Sequence, residues 1–243
     1  MELIGKTALV TGAAKRVGRG IALGLAAKGV NIVLHYNGSQ TDAQKTSVEI
    51  TALGAKCILI GADLSEVGDI QKMLGELKKK SVVIDFLVNS ASLYFKTPVA
   101  TANEEQWDEL MSVNLKAPYL LSVALGREMA KGKGGKIINI ADWSGFKPYK
   151  DFMAYCASKG GLITLTKSLA RDFAPKVDAN AVAPGPVLPP PDMSDAEKEA
   201  VAKTTALERW GKPEDIANAV TFLLESDFVN GIVLVVDGGR SIV

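Results

Sequence analysis

Short apolar runs alternate with longer helix-like segments along the chain, and this alternation restricts the fold more than any other feature of the sequence. It is the pattern of an α/β protein whose doubly wound parallel sheet, of about seven strands, is covered by helices on both faces. Strands are predicted near 6–11, 31–36, 56–61, 83–88, 136–141, 177–182 and 231–236. Helices are predicted near 16–29, 41–53, 67–80, 104–131, 152–173 and 213–225. Turns such as Lys133-Gly134-Gly135 mark the connections. No linker, repeat or low-complexity tract interrupts residues 1–243, which read as one domain. One segment is irregular: 183–204 contains Pro184, Pro186, Pro189, Pro190 and Pro191. It follows a predicted strand, on the carboxyl edge where such sheets bind ligands. Long loops in compact domains are usually lids or flexible segments. The helix-like stretch from Ser194 to Lys203 favours a lid.

The first strand, Thr7-Ala8-Leu9-Val10, leads into Thr11-Gly12-Ala13-Ala14-Lys15-Arg16-Val17-Gly18-Arg19-Gly20 and then a helical pattern with Ile21, Leu23, Leu25 and Ala26. Strand, glycine-bearing turn and helix are the context of a dinucleotide site. There glycine lets the backbone approach a pyrophosphate, and the helix N-terminus offers free N–H groups. The same residues would also make an ordinary βα turn that uses glycine for its dihedral angles.

A second local signal is Tyr155 and Lys159 in Tyr155-Cys156-Ala157-Ser158-Lys159. On a helix, i and i+4 share a face. An ammonium beside a phenol favours the phenolate, which would make the tyrosine a proton donor and acceptor near neutral pH. By itself the pair could equally lie on a solvated helix face.

Composition sets limits. Lys and Arg total 28 against 27 Asp and Glu, with no basic run, so nothing favours nucleic acid or a charged membrane surface as partner. Cys57 and Cys156 make neither a disulfide framework nor a zinc pattern, and no metal is expected. No apolar stretch approaches the length of a membrane span. A soluble cytoplasmic enzyme acting on a small molecule is the expectation.

These marks together resemble the short-chain dehydrogenase/reductase family nearly end to end. They occur in its order: the Thr11–Gly18 turn, Asp63-Leu64, Asn89-Ser90-Ala91, Asn114, Tyr155 with Lys159, Pro184-Gly185, and Asp237-Gly238-Gly239. The resemblance implies a Rossmann-type domain and a nicotinamide cofactor. It places that cofactor against Gly12, Lys15, Arg16, Val17, Gly18, His35, Tyr36, Asn37, Ser39, Asp63, Leu64, Asn89, Ser90, Ala91, Tyr155, Lys159, Pro184, Gly185 and Val187. It also implies Tyr155 as proton donor, Lys159 as ribose ligand, and Asn114 as the holder of a relay water. The helices near 104–131 and 152–173 resemble the family's four-helix interface, implying a homotetramer or a dimer.

The cofactor's identity turns on the second strand. A ribose 2′-hydroxyl is usually held by an acid about 20 residues past the glycine turn. Here the strand ends Leu34-His35-Tyr36-Asn37-Gly38-Ser39, with no carboxylate before Asp42. Lys15, Arg16 and Ser39 could face a 2′-phosphate, or the two cations could form a solvated turn. NADPH is therefore expected over NADH. His35, the only histidine, suits a structural or adenine-side position.

Two departures narrow the resemblance. Arg16 stands where the broad family has glycine, and Asp142 stands thirteen residues before Tyr155, where the family has serine. Both occur in the pteridine reductases and the similar dihydromonapterin reductases. That subgroup implies a pterin held by Arg16, Ser92, Tyr94, Asp142, Tyr155, Leu188 and Met193, with Tyr94 as one wall of the pocket. Tyr94 and Phe95 could also simply pack against the core. A register shift would instead give serine's work to Ser144 and make the protein a ketone reductase, for example of 3-oxoacyl thioesters. A non-catalytic dinucleotide sensor is the alternative of another class, and an intact Asn114, Tyr155 and Lys159 argues against it.

Overall fold

The computed structural model describes residues 2–243. In chain order the elements are β1 (Thr7–Val10), α1 (Arg16–Ala27), β2 (Asn31–Tyr36), α2 (Gln40–Ala52), β3 (Cys57–Gly61), α3 (Val67–Lys79) and β4 (Phe86–Asn89). They continue with α4 (Glu104–Met111), α5 (Ala117–Lys131), β5 (Gly135–Ile140), α6 (Met153–Asp172), β6 (Val177–Pro184), α7 (Asp195–Ala202), α8 (Pro213–Glu225) and β7 (Val233–Val236). The strands form one parallel sheet in the order β3-β2-β1-β4-β5-β6-β7. The strand order reverses between β1 and β4, which opens a crevice at their carboxyl ends.

The central strands are apolar without interruption because both faces are covered. The pleat sends Ala8 and Val10 to one side, packed with Ile21 and Leu25 of α1 and Ile216 and Leu223 of α8. It sends Leu9 to the other, with Met73 of α3, Leu121 of α5 and Leu169 of α6. One residue of slip would exchange these two cores, so the register is strongly specified.

Three boundaries depart from expectation for identifiable reasons. The fourth strand begins at Phe86, not near 83, because the chain turns through Ser81 at φ 52° and leaves Val83 75% exposed. The segment expected as one helix over 104–131 is broken by a π-helical turn, Ser112–Lys116. Pro118 has no N–H to give the Asn114 carbonyl, so the regular i→i+4 ladder fails there. The irregular segment 183–204 starts within β6, and its helical part is α7, capped by Ser194 accepting from Glu197 N at 3.3 Å.

Candidate active site

The crevice above β1 is a cleft of about 480 Å³ bordered by the Gly12–Gly18 turn, the end of β2, Asp63, Leu64 and the Ser90–Leu93 segment. Its floor is tightly built. Gly12 has φ +64°, and a side chain there would meet Ala91 Cα at 2.9 Å. A Cβ at Gly18 would lie 2.3 Å from the Gly12 carbonyl oxygen. Backbone can therefore come where no side chain fits, beside the N-terminus of α1, and this suits the pyrophosphate of a dinucleotide. At the end of β2, Tyr36, Asn37, Gly38 and Ser39 line the cleft with Lys15, Arg16 and Val17. No carboxylate lies at that strand end to oppose a 2′-phosphate. Asp63 is farther round, held below the usual carboxylate range by the Ser65 hydroxyl and N–H, with Asn37 adding to this.

Some expected cofactor residues support the turn instead. His35 is buried, accepts from Gly12 N at its Nδ1 (3.1 Å) and bridges from Nε2 to the Ala62 carbonyl (3.1 Å). Both ring nitrogens are spent on backbone, so His35 shapes the loop while its ring borders the cleft. Burial lowers its pKa to about 4 and keeps it neutral. Asn89 likewise turns inward, donating to Ser122 Oγ (3.2 Å) and Asn139 Oδ1 (2.8 Å). Ser90 and Ala91 do border the cleft, where Thr11 Oγ1 accepts from both their N–H groups at 2.9 and 3.0 Å. That bracing role of Thr11 was missed, because a threonine ending a strand has no distinctive signal in sequence.

Near the start of α6, Tyr155 is 6% exposed and donates its hydroxyl to Asp142 Oδ2 at 3.0 Å. The Asp142 Oδ1 accepts from Ser144 N at 2.8 Å. The carboxylate thus occupies the place next to the tyrosine hydroxyl. Ser144 is fully buried beside this carboxyl group. Burial raises the Asp142 pKa, opposed by Ser144 and then by the Lys159 charge.

The expected phenolate is not what this geometry favours. Lys159 Nζ donates to the Ile140 carbonyl at 2.9 Å and lies 5.7 Å from the centre of the Tyr155 ring. Burial lowers its pKa to about 8. Tyr155 is held well above the ordinary phenol value, first by burial and then by the neighbouring Asp142 charge. The tyrosine is therefore held in its protonated form, hydrogen-bonded to the Asp142 carboxyl group. The i+4 spacing alone did not show that Asp142, far away in sequence, would outweigh the lysine.

Asn114 lies in the π-helical turn, and its side chain is fully engaged. It accepts from Leu93 N (2.8 Å) and Ser92 Oγ (3.2 Å) and donates to Leu93 O (2.9 Å) and Ser158 Oγ (3.2 Å). The amide thereby clamps the 92–93 segment to α6. Ser92, which borders the cleft, donates its hydroxyl to this amide.

Arg16 takes the left-handed conformation, φ 54°, at the glycine position of the turn, and its Nη2 donates to Leu188 O at 2.6 Å. Leu188 is itself left-handed at φ 56°. The guanidinium thus ties the turn to the segment after β6. Pro184 ends β6 opposite Val236, Gly185 donates to Val236 O at 3.0 Å, and Val187 bridges Gly211, so their backbone stands at the same carboxyl edge. Met193 sits at the foot of α7, its N–H donating to Pro190 O at 3.2 Å.

Tyr94 is 55% exposed, stacks on Phe152 (4.7 Å between ring centres, 16°) and meets Tyr155 edge-on (4.9 Å, 83°). Phe152 and Tyr149 complete this wall and were not foreseen, since aromatic residues in a loop carry no periodicity. Among the described residues no group of three or more His, Cys, Asp or Glu is placed to hold a metal ion, and no helix is long and apolar enough to cross a membrane.

Comparison with known proteins gives consistent similarities. The sequence profile described as enoyl-(acyl carrier protein) reductase matches residues 12–241. The 3-oxoacyl-[acyl-carrier-protein] reductase FabG of Staphylococcus aureus is 34% identical over 241 residues, covering 96% of this chain and 97% of that protein. The structure of FolM, alternative dihydrofolate reductase 1 from Brucella canis, complexed with NADP, matches with a TM-score of 0.92 at 28% identity, covering 100% of this chain and 96% of FolM. The promiscuous reductase LugOII, which catalyses a keto-reduction in lugdunomycin biosynthesis, matches with a TM-score of 0.93 at 31% identity over 100% of both chains.

Proposed function

This chain belongs to the short-chain dehydrogenase/reductase family, and from that premise we propose that it is a pteridine reductase. It is an oxidoreductase, and its cofactor is NADP(H). The observation that carries the substrate reading is the Tyr155 hydroxyl donating to Asp142 at 3.0 Å. A serine there polarises a carbonyl without changing charge, whereas a carboxyl group can itself pass on a proton. That suits reduction of a ring C=N. Arg16 at the glycine position and the FolM likeness support the same reading.

Bound NADPH supplies a hydride from its nicotinamide. The glycine turn and the α1 N-terminus would hold the pyrophosphate, and Lys15 and Ser39 the 2′-phosphate. Lys159 would reach the nicotinamide ribose from beneath Tyr155, while its charge limits the cost of ionising Asp142. Tyr155 gives its hydroxyl proton to the substrate nitrogen, and Asp142, which burial biases toward its protonated form, returns a proton to the Tyr155 oxygen and is itself reprotonated from solvent. Arg16 would offer forked donors to the pterin edge, and Tyr94 a stacking face. The segment 183–204 would close over the substrate through Leu188 and Met193.

Ketone reduction is the second reading. FabG supports it, and so does the buried Ser144 hydroxyl beside the Asp142 carboxyl group. A steady-state assay of NADPH consumption on dihydropterins and 3-oxoacyl thioesters separates the two. Turnover confined to the thioesters defeats the pteridine reading, and absence of any turnover favours the sensor. The partly exposed Met111, Leu115, Tyr119 and Leu165 on α4, α5 and α6 and the turn between them support assembly as a homotetramer.

A further inference from the structure

The aromatic wall over Tyr155 contains a residue with no part in the chemistry so far. Tyr149 stacks on Trp143, next to Asp142, with ring centres 5.5 Å apart at 17°. It also packs against Phe152 at 5.0 Å and donates its hydroxyl to the Tyr94 hydroxyl at 3.3 Å. Tyr94 therefore has one face on Phe152, its edge on Tyr155 and its hydroxyl tied to Tyr149, while 55% of the residue stays open.

The support under Tyr149 is itself fixed. Trp143 is 8% exposed, and the Arg240 guanidinium lies 4.9 Å from its ring centre. The loop carrying Tyr149 is fastened at one end by Lys147 Nζ donating to Val243 O at 2.8 Å. At the other end, Thr97 N donates to Asp151 O at 2.6 Å. A ring held this way does not need to be ordered again when a ligand stacks on it, and such preorganisation favours binding.

We propose that Tyr149 is a positioning residue that fixes the plane of Tyr94 and so selects flat ring substrates over linear ones. A planar heteroaromatic gains from a stacking face of fixed orientation. A linear 3-oxoacyl chain has no plane to match and gains little from it. The proposal deepens the pteridine reading at the same pocket and rests on it.

The test compares Tyr149→Phe, which deletes one oxygen and keeps the stack on Trp143, with Tyr94→Leu, which removes the face. With NADP saturating, binding of a fluorescent, fully oxidised pterin is measured by quenching. Tyr149→Phe should raise its Kd at least about threefold, the scale of one partly solvated hydroxyl bond, and Tyr94→Leu should raise it more. In turnover, the kcat/KM ratio of dihydropterin to a linear 3-oxoacyl thioester should fall by a similar factor in Tyr149→Phe, mainly through KM. A general loosening of the fold would lower both substrates alike and leave the ratio unmoved. An unchanged Kd and ratio in Tyr149→Phe overturn the proposal. If the wild-type protein binds no pterin, the pteridine reading fails, and the same comparison with a flat polycyclic ketone decides the role of Tyr149.

Discussion

At the residue scale the site is governed by which charges are buried together. Tyr155 and Asp142 share one hydrogen bond, and both are biased toward their protonated forms. Tyr155→Phe removes the donor and little packing, so kcat should fall at least about a hundredfold while the NADPH Kd stays within about twofold. Single-turnover kinetics with an independent binding titration check this, and retention of a tenth of the activity would rule Tyr155 out as the donor. Asp142→Ser should depress dihydropterin reduction much more than NADPH binding, whereas Ser144→Ala should be mild. The reverse pattern would move the assignment to ketone reduction. Lys159, with its pKa lowered to about 8, is charged below that pH and neutral above it. The kcat/KM should therefore decline as pH rises through about 8. A rate profile still flat at pH 10 would contradict the role of Lys159.

At the element scale the β2–α2 connection decides the cofactor and the glycine turn sets the pocket edge. Asn37→Asp would place a carboxylate beside a 2′-phosphate and beside Asp63, whose carboxylate Asn37 now supports. NADPH affinity should fall at least about tenfold relative to NADH, since like charges at this range cost on the order of 1 to 4 kcal/mol. Paired titrations with the two cofactors measure the ratio, and equal wild-type affinities would defeat the argument. Arg16 holds a left-handed backbone that costs a non-glycine residue roughly 1 kcal/mol or more. Arg16→Gly should relieve that strain, leaving the protein as stable or about 1 kcal/mol more stable in urea, while raising the substrate KM. A large loss of stability would show that the bond to Leu188 O, and not the pocket, is the main role of Arg16.

At the scale of the whole molecule, stability and pH are linked through His35. Its folded pKa of about 4 lies below its usual 6.5, so between these values the unfolded chain binds a proton that the native protein does not. The stability present above pH 6.5 is lost as pH falls toward 4, by roughly 3 kcal/mol for this group. The melting temperature should drop over that window, and His35→Asn should flatten the drop; an unaltered slope would mean that other groups carry it. The periodicity of the sequence determined the parallel sheet, its seven strands and the order of its motifs. Runs such as Ile32-Val33-Leu34 are buried on both faces and can take few other forms. Tyr155 and Lys159 were legible as spacing, Asp142 and Arg16 only through the family resemblance, and the absence of an acid after β2 from the strand's own ending. Only the tertiary structure decided what those residues do to one another. The lysine turned to the Ile140 carbonyl, the Asn114 amide closed on Leu93, and Thr11, Tyr149 and Phe152 joined the site. The physical reason is that hydrogen bonds and desolvation act between residues brought together from distant parts of the chain, and no local pattern records which polar groups will share a buried space.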